Sequence, residues 1–491
     1  MTNPKNPEIY LFNTIARQKE RFVPVEPNIV KYYHCGPTVY SYQHIGNYRS
    51  AYFSDLVVRS FKFLGYNVKF VTNMTDVGHL DGDNAGDADR GEDRMQKAAR
   101  KEGKTSLEIA EFYAKDFLNT CSLLNLSEPD FRPRPTQVIP EQIEMVQSLL
   151  DKGYAYFTDY AVYFDVSKFK EYGKLSKQKL EDKQAGARDE VFIDPGKRNP
   201  QDFALWMFTV GHQNAHELRW SSPFSEKQGF PGWHIECSAM SLKHLGYPID
   251  IHSGGKEHIP IHHENEIAQS ECSTDKEFVN YWLHLEHLMV EGKKMSKSLG
   301  NVYTVTPNNQ FDSVVDHDFD PLDLRLFYMQ SHYQTAQNFT WQNLESARNL
   351  RLKIFKKLEA DFNFVDVNLN ILNDPDMYDN DLFWESKNAL ADNLNSPEFL
   401  ETVSRLSNIT DKKTKLATFV KLDEVLGLDI LKHCNKPKNR ELIRDGLKKR
   451  QEFKRQGDFE SADKIKNDLM NKFSIEIIDL KDESSWVDKT H

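Results

Sequence analysis

Residues 29–72 read IVKYYHCGPTVYSYQHIGNYRSAYFSDLVVRSFKFLGYNVKFVT. The run Ile29 to Tyr33 is apolar, aromatic and β-branched, and the breaker Cys35-Gly36-Pro37 closes it. A helical spacing follows, carried by Phe53, Leu56, Val57, Phe61 and Leu64, and Gly65 stops it. Val68 to Thr72 is a second β-branched run. Strand, loop, helix and strand in that order make a βαβ unit, so the stretch predicts an α/β fold on a parallel, doubly wound sheet. Such sheets take ligands at the carboxyl ends of their strands, and Cys35, His44 and Thr75 each fall past a predicted strand end.

Beyond that unit, residues 105–205 mix helical segments with a hairpin pattern at Tyr154 to Phe157 and Ala161 to Val166, before the apolar run Phe203 to Val210. This reads as an insertion, about 115–205, between two halves of one sheet. Ile249 to His252 predicts another strand, ended by Gly254 and Gly255, and His262 to Glu271 predicts a helix. Leu288 to Val290 leads into a loop at Glu291 to Asn301. Asn and Asp crowd Asp361 to Asp381, which marks one boundary, and His433 to Asn439 marks a second. Helical patterns such as Phe383 to Leu394 and Leu416 to Leu428 lie between them.

At about 100 to 200 residues per domain, 491 residues hold roughly two to four domains, which excludes a single small binding module. Hydrophobic residues at 39% and aromatics at 12% suffice for a sizeable core, so wholesale disorder is excluded too. No run approaches the ~18 apolar residues of a membrane-spanning helix, and a soluble intracellular chain is expected. The five cysteines (Cys35, Cys121, Cys237, Cys272 and Cys434) are odd in number and scattered, which speaks against a disulfide framework. A special cysteine is then a ligand or a nucleophile. Net charge is −11, so a polyanionic partner needs a local basic patch. One is present at Lys436, Lys438, Arg440, Arg444, Lys448, Lys449, Arg450, Lys454 and Arg455, against only Glu441, Asp445 and Glu452.

Two motifs suggest phosphate chemistry. Lys294-Met295-Ser296-Lys297-Ser298, followed by Leu299-Gly300-Asn301, places two lysines three residues apart among small hydroxyl residues. That suits either a solvated turn or a loop that closes over phosphates and neutralises charge developing in phosphoryl or adenylyl transfer. His44-Ile45-Gly46-Asn47 stands at the start of the first helix, where Gly46 permits close approach and the helix N-terminus favours an anion. A lone histidine there is also compatible with a structural role. His262 and Glu266, four apart, share one helix face and could hold an ion together; a plain surface pair is the alternative. Asp81, Asp83, Gly86, Asp87, Asp89 and Glu92 approach a calcium-loop spacing, but Ala85 breaks it and a solvated loop is expected. His79, alone in its loop, either faces the active site or is solvated, and the solvated reading is the expected one.

Taken in order, His44-Ile45-Gly46-Asn47 and Lys294 to Ser298 resemble the two signatures of class I aminoacyl-tRNA synthetases. Tyr33 to Tyr40, Gly232 to Met240 and His262 to Gln269 narrow the resemblance to the cysteinyl-tRNA synthetases, nearly over the full length from Ile9, including Asp458 to Ile465. The resemblance implies a Rossmann-like catalytic domain at 1–335 carrying the insertion, an α-helical tRNA-binding domain at 336–432 and a small mixed C-terminal domain at 433–491 for the anticodon. It implies ATP-dependent activation of L-cysteine and transfer to tRNA(Cys), in a cytoplasmic protein expected to be a monomer without membrane contact. By the same resemblance, Cys35, Cys237, His262 and Glu266 are the ligands of one Zn²⁺ per chain, and Thr75, Trp233 and Glu257 lie near the amino acid. His44, Lys294 and Lys297 are catalytic; they bind ATP, accompanied by Mg²⁺, together with Gly46 and Asn47. Three departures stand out, the first being Glu257, which stands where the family more usually has Asp. Asn47 replaces the usual second histidine, and Val77-Gly78-His79-Leu80 replaces a lysine-containing acidic segment. A related ligase that passes cysteine to a small amine is disfavoured by the basic C-terminal unit, and a non-catalytic RNA-binding relative by the intact loop lysines and ligand positions.

Overall fold

In the computed structural model an antiparallel hairpin, β1 (Tyr10–Asn13) and β2 (Gln18–Arg21), leads into the stretch 29–72. That stretch folds as β3 (Ile29–His34), α1 (Ile45–Phe63) and β4 (Asn67–Thr72), with the strands parallel and paired from Ile29 with Asn67 to His34 with Thr72. Alternation along β3 sends neighbouring tyrosines to opposite faces. Tyr32 stacks on Phe70 with ring centroids 5.1 Å apart, while Tyr33 packs among Val71, Met240, Ile267 and Trp282. The helical spacing is likewise the buried one: Phe53, Leu56, Val57, Phe61 and Leu64 are all in the core. The structure describes residues 6–80, 92–178, 194–296, 299–364, 374–431, 440–473, 475–479 and 484–488. Lys297 and the acidic stretch 81–91 therefore lie outside the described residues, as do Cys434, Lys436 and Lys438.

Three helices follow, α2 (Arg94–Glu102), α3 (Ser106–Leu123) and α4 (Ile139–Asp151). The inserted region then forms its own antiparallel sheet from β5 (Ala155–Phe157), β6 (Ala161–Phe164), β7 (Phe203–Phe208), β8 (Trp220–Ser222) and β9 (Ser225–Pro231), in the order β5-β6-β7-β9-β8. The apolar run beginning at Phe203 is thus the middle strand of this sheet, paired with β6 and β9. Full burial explains its composition, because every β7 side chain is covered: Phe203, Leu205 and Trp206 pack with Met145, Val146 and Leu149 of α4, and Ala204 and Met207 pack with Tyr163 and Phe230.

The chain returns to the parallel sheet through α5 (Trp233–Leu245), β10 (Ile249–Gly255), α6 (His262–Thr274) and β11 (Val279–Leu285). Strand order is β11-β10-β3-β4, all parallel. From β3 the chain moves outward to β4, then returns to the other side of β3 with β10, so the order reverses between β3 and β10. A ligand crevice belongs at the carboxyl ends of those two strands. A second hairpin, β12 (Leu288–Val290) and β13 (Lys293–Lys294), turns through Glu291 and Gly292 at φ of 49° and 74°.

Two compact units divide the chain. The first comprises Met1–His317, Ser331–Asn338 and Ala391–Leu394; the second comprises Asp318–Gln330, Phe339–Leu390 and Asn395–His491. The second is helical, with α7 (Pro321–Met329), α8 (Trp341–Phe364), α9 (Asn380–Ala391), α10 (Ser396–Arg405), α11 (Lys412–Leu426), α12 (Arg440–Arg455) and α13 (Phe459–Phe473), ending in the hairpin β14 (Ile475–Asp479) and β15 (Ser484–Asp488). Its helices are tied by buried pairs, Arg351 with Asp323 at 2.6 Å and Lys415 with Asp361 at 3.0 Å. Ile443, Leu447, Leu469, Ile475 and Ile477 form a small core near the C-terminus. Lys448 and Lys449 of the basic patch are exposed there, whereas Arg450 is buried. Among the described residues no helix is long and apolar enough to cross a membrane.

Candidate functional site

The loops leaving β3 and β4 pair with each other. Thr75 N–H donates to the Pro37 carbonyl and Val39 N–H to the Thr75 carbonyl, both at 3.0 Å. Asn73 locks them, its Oδ1 accepting the Gly36 N–H at 2.8 Å and its Nδ2 donating to Thr75 Oγ1 at 3.0 Å. This pairing fixes Cys35 at the point where strand order reverses.

From the other side, α5 and α6 bring Cys237, His262 and Glu266 to Cys35. The two Sγ atoms are 4.0 Å apart, Cys35 Sγ is 3.6 Å from Glu266 Oε1, and His262 Nε2 is 2.9 Å from the same oxygen. The four ligating atoms lie within 4.8 Å of one another and all four residues are buried. Donors of a tetrahedral zinc site, with bonds of ~2.0 to 2.3 Å, stand about 3 to 4 Å apart, so the spacing fits. Two further observations fit a cation. Glu266 Oε2 is buried and makes no hydrogen bond among the described residues. Burial pushes the Cys35 thiol and the Glu266 carboxyl well above their ordinary ranges and the His262 imidazole well below its own. Anionic donors held this deep are costly unless a cation compensates them, and two thiols, an imidazole and a carboxylate suit zinc.

A second group, Cys35, His252, His263 and Glu266, shares two of these donors. His263 Nε2 and His252 Nε2 stand 3.3 and 3.4 Å from Cys35 Sγ. His263 is oriented by a chain in which its Nδ1 meets His284 Nε2 at 2.8 Å, and His284 Nδ1 meets Thr14 Oγ1 at 2.7 Å. Sequence reasoning missed His252 and His263; the doublet His262-His263 was the available signal.

Above this floor, His44 caps α1. Its Nδ1 accepts the N–H groups of Gly46 and Asn47 at 3.1 and 3.2 Å, and Asn47 Oδ1 accepts the His44 N–H at 3.2 Å. An accepting Nδ1 leaves the proton of a neutral ring on Nε2. The lysine loop lies against this cap: a Cβ built on Gly46 would stand 2.5 Å from Met295 Cε and 3.0 Å from the His44 ring, so any larger residue would have to displace the Met295 side chain. Asn301 braces the loop, its Oδ1 accepting the Ser296 N–H at 2.9 Å and its Nδ2 donating to the Lys294 carbonyl at 3.3 Å. Lys294 itself is exposed.

A cleft of about 500 Å³ joins the two parts, and Cys35, His44, Gly46, Asn47, Trp233, Glu257 and Lys294 all line it. Glu257 is exposed, with Oε2 3.6 Å from His287 Nδ1. Thr75 lies behind the wall, 1% exposed, its hydroxyl donating to Glu236 Oε2 at 3.4 Å. Glu236, fully buried, escaped sequence reasoning because its partners come from remote loops. His79 departs from expectation: it is 5% exposed and lines the cleft.

Residues 21–349 match the model of the class I (C) catalytic domain of tRNA synthetases. The cysteine–tRNA ligase of Treponema denticola is 41% identical over 438 residues, covering 86% of each chain. That of Methanococcus maripaludis is 35% identical over 484 residues, 94% of this chain and 95% of the relative, and that of Chlorobaculum tepidum 37% over 509 residues, 98% and 99%. Among solved structures, methionyl-tRNA synthetase of Mycobacterium tuberculosis bound by methionyl-adenylate superposes with a TM-score of 0.55 at 13% identity, covering 85% of this chain and 94% of that one, a likeness of fold.

Proposed function

The chain belongs to the cysteinyl-tRNA synthetases of class I, and on that premise we propose how its residues divide the reaction. The activity is cysteine–tRNA ligation: the protein binds ATP, cysteine and tRNA(Cys). The cysteine carboxylate attacks the α-phosphorus of ATP and pyrophosphate leaves. The acyl group then passes from the adenylate to the terminal ribose of the tRNA, with AMP as leaving group.

Cys35, Cys237, His262 and Glu266 hold one zinc ion, the reading supported by their convergence at the floor of the cleft. When bound, zinc supplies a soft site for the substrate thiolate, a bond that the harder serine hydroxyl cannot match. Without such a bond, small differences in side chain are worth only about 1 to 3 kcal/mol of discrimination in an apolar pocket. Trp233 and Glu257 flank the amino acid, and Thr75 supports them from the paired loops. His44 points its Nε2–H toward the phosphates, Gly46 lets the lysine loop close down, and Asn47 holds the helix start. Lys294 and Lys297 neutralise charge growing on the phosphates, with Mg²⁺ accompanying ATP. The catalytic domain, expected at 1–335, lies mainly in the first unit, and its insertion, expected at about 115–205, extends to the end of β9 at Pro231 because β7 is the middle strand of the inserted sheet; 336–432 serve as the helical tRNA-binding domain and 433–491 as the anticodon domain. The protein works as a cytoplasmic monomer.

The observation that carries this assignment is the four-donor floor set beneath a capped helix start. ATP–pyrophosphate exchange with cysteine, with serine and with no amino acid tests it. Exchange with cysteine alone is expected, with serine lower by about 10³-fold or more. Absence of exchange in folded, zinc-loaded protein, together with tight tRNA binding, would assign the chain a binding role instead.

A further inference from the structure

His79 has a geometry that its position in a loop does not foretell. Its ring lies parallel to the indole of Trp233, with centroids 4.2 Å apart and planes 4° apart. The same indole packs against His262, at 4.1 Å and 33°. His79 Nδ1 also meets Thr38 Oγ1 at 2.6 Å, on the loop that carries Cys35. One imidazole thus connects the two paired loops to the aromatic wall of the cleft, and through that wall to a floor residue.

The backbone is shaped to deliver it. Gly78 has φ +78°, and a Cβ there would stand 2.6 Å from Glu236 Oε1 and 2.7 Å from the Pro231 carbonyl. Its N–H donates to Asp93 Oδ2 at 2.8 Å, and the His79 carbonyl accepts the Arg94 N–H at 3.1 Å. Trp233, by contrast, is the first residue of α5, and its cap, Gly232, offers no side-chain hydrogen bond. Aromatic side chains have a broad second torsion, so flanking rings rather than the helix set the plane of this indole.

We propose that His79 is a positioning residue for cysteine: stacked on Trp233 and bonded to Thr38, it holds the indole in the plane that closes the amino-acid side of the cleft. The proposal rests on the placement of Trp233 beside the substrate. It predicts an effect on cysteine binding and none on ATP or zinc, because His79 is neither among the four floor donors nor on the lysine loop.

The test is ATP–pyrophosphate exchange on the zinc-loaded full chain, with zinc content and a thermal melt for each variant. His79→Ala is expected to raise KM for cysteine about tenfold, with KM for ATP within about twofold and zinc unchanged. His79→Phe, which keeps the stack and gives up the hydrogen bond, is expected to recover most of that loss, and His79→Gln to recover little. In a Trp233→Leu background, which itself raises KM for cysteine, the His79→Ala effect should vanish, since neighbours that act as a unit are not additive. A cysteine KM unmoved by His79→Ala, a Phe variant no better than Ala, or effects that multiply in the double variant would overturn the role of His79 alone. An unmoved KM in Trp233→Leu would instead overturn the placement of Trp233, and the inference with it.

Discussion

The floor and the mouth of the cleft are built on opposite plans. The floor takes its donors from the end of β3, from α5 and from α6, all buried, and surrounds them with rings such as His252, His263 and Trp282. The mouth has one fixed post, the His44–Asn47 cap, and sets an exposed Lys294 on a short hairpin against it. Choosing a thiol over a hydroxyl needs donor atoms placed before the substrate arrives, so it belongs on rigid elements. Neutralising phosphate charge during transfer tolerates a loop that closes late, so it can be carried by a hairpin. A break in the floor should therefore take selectivity with it, whereas a break in the mouth should cost rate and leave selectivity intact.

The largest break in that comparison is expected at Cys237. Cys237→Ser removes one of two thiols from the floor, and zinc should fall from about one per chain to under ~0.1, with exchange down about 10³-fold and selectivity against serine lost. Metal analysis and exchange with both amino acids read this out. A variant that kept stoichiometric zinc would remove Cys237 from the ligand set.

The mouth should fail differently. Lys297→Ala is expected to slow adenylate formation by about 10²- to 10³-fold while zinc content and the cysteine-to-serine ratio stay as they were. Single-turnover activation measures it; wild-type rates would take Lys297 out of the mechanism.

The two regions also differ in how far they could be read from sequence. The βαβ stretch was legible because a strand run and a helical period are local, and the lysine loop and His44-Ile45-Gly46-Asn47 because each motif is contiguous. The floor was not: Cys35 and Cys237 are 202 residues apart, and only the crossover that places β10 beside β3 brings their elements together. Spacing alone favoured a surface pair for His262 and Glu266, and it took the family resemblance to join them to the cysteines. His79 was misjudged for the same reason, since the indole that buries it lies on α5. Phe203 to Phe208 shows the limit in the other direction: the apolar run reads as the close of the insertion at about 205, yet it is the middle of the inserted antiparallel sheet, covered on both faces.

Burial gives the rings on and around the floor a pH dependence. Desolvation pushes the imidazoles of His79, His263 and His284 well below the usual histidine range, the neighbouring positive groups adding to it. Below the ordinary value of about 6.5 the unfolded chain binds protons that the folded chain refuses. Stability is then fully present above that pH and is lost as pH falls toward the depressed folded values, by up to about 1.4 kcal/mol per pH unit for each such ring. Thermal melts from pH 8 to pH 5 should show a falling Tm below pH 6.5; a flat profile would mean these rings are protonated in the folded protein.

The smallest effect concerns the post on which the mouth is built. Asn47 Oδ1 accepts the His44 N–H at 3.2 Å while its own N–H donates to His44 Nδ1 at 3.2 Å, so this side chain closes a capping box. On the proposed division of roles, a residue used in this way would support ATP indirectly, by holding the His44 ring at the helix start. Asn47→Ala should then cost about 1 kcal/mol of stability and raise KM for ATP by no more than about threefold, because His44 keeps its own bonds to the Gly46 and Asn47 N–H groups. A loss of tenfold or more in ATP affinity without a matching drop in Tm would mean that the Asn47 amide touches the nucleotide itself. In that case the mouth would contain a second fixed contact, and its contrast with the floor would narrow to the lysine loop.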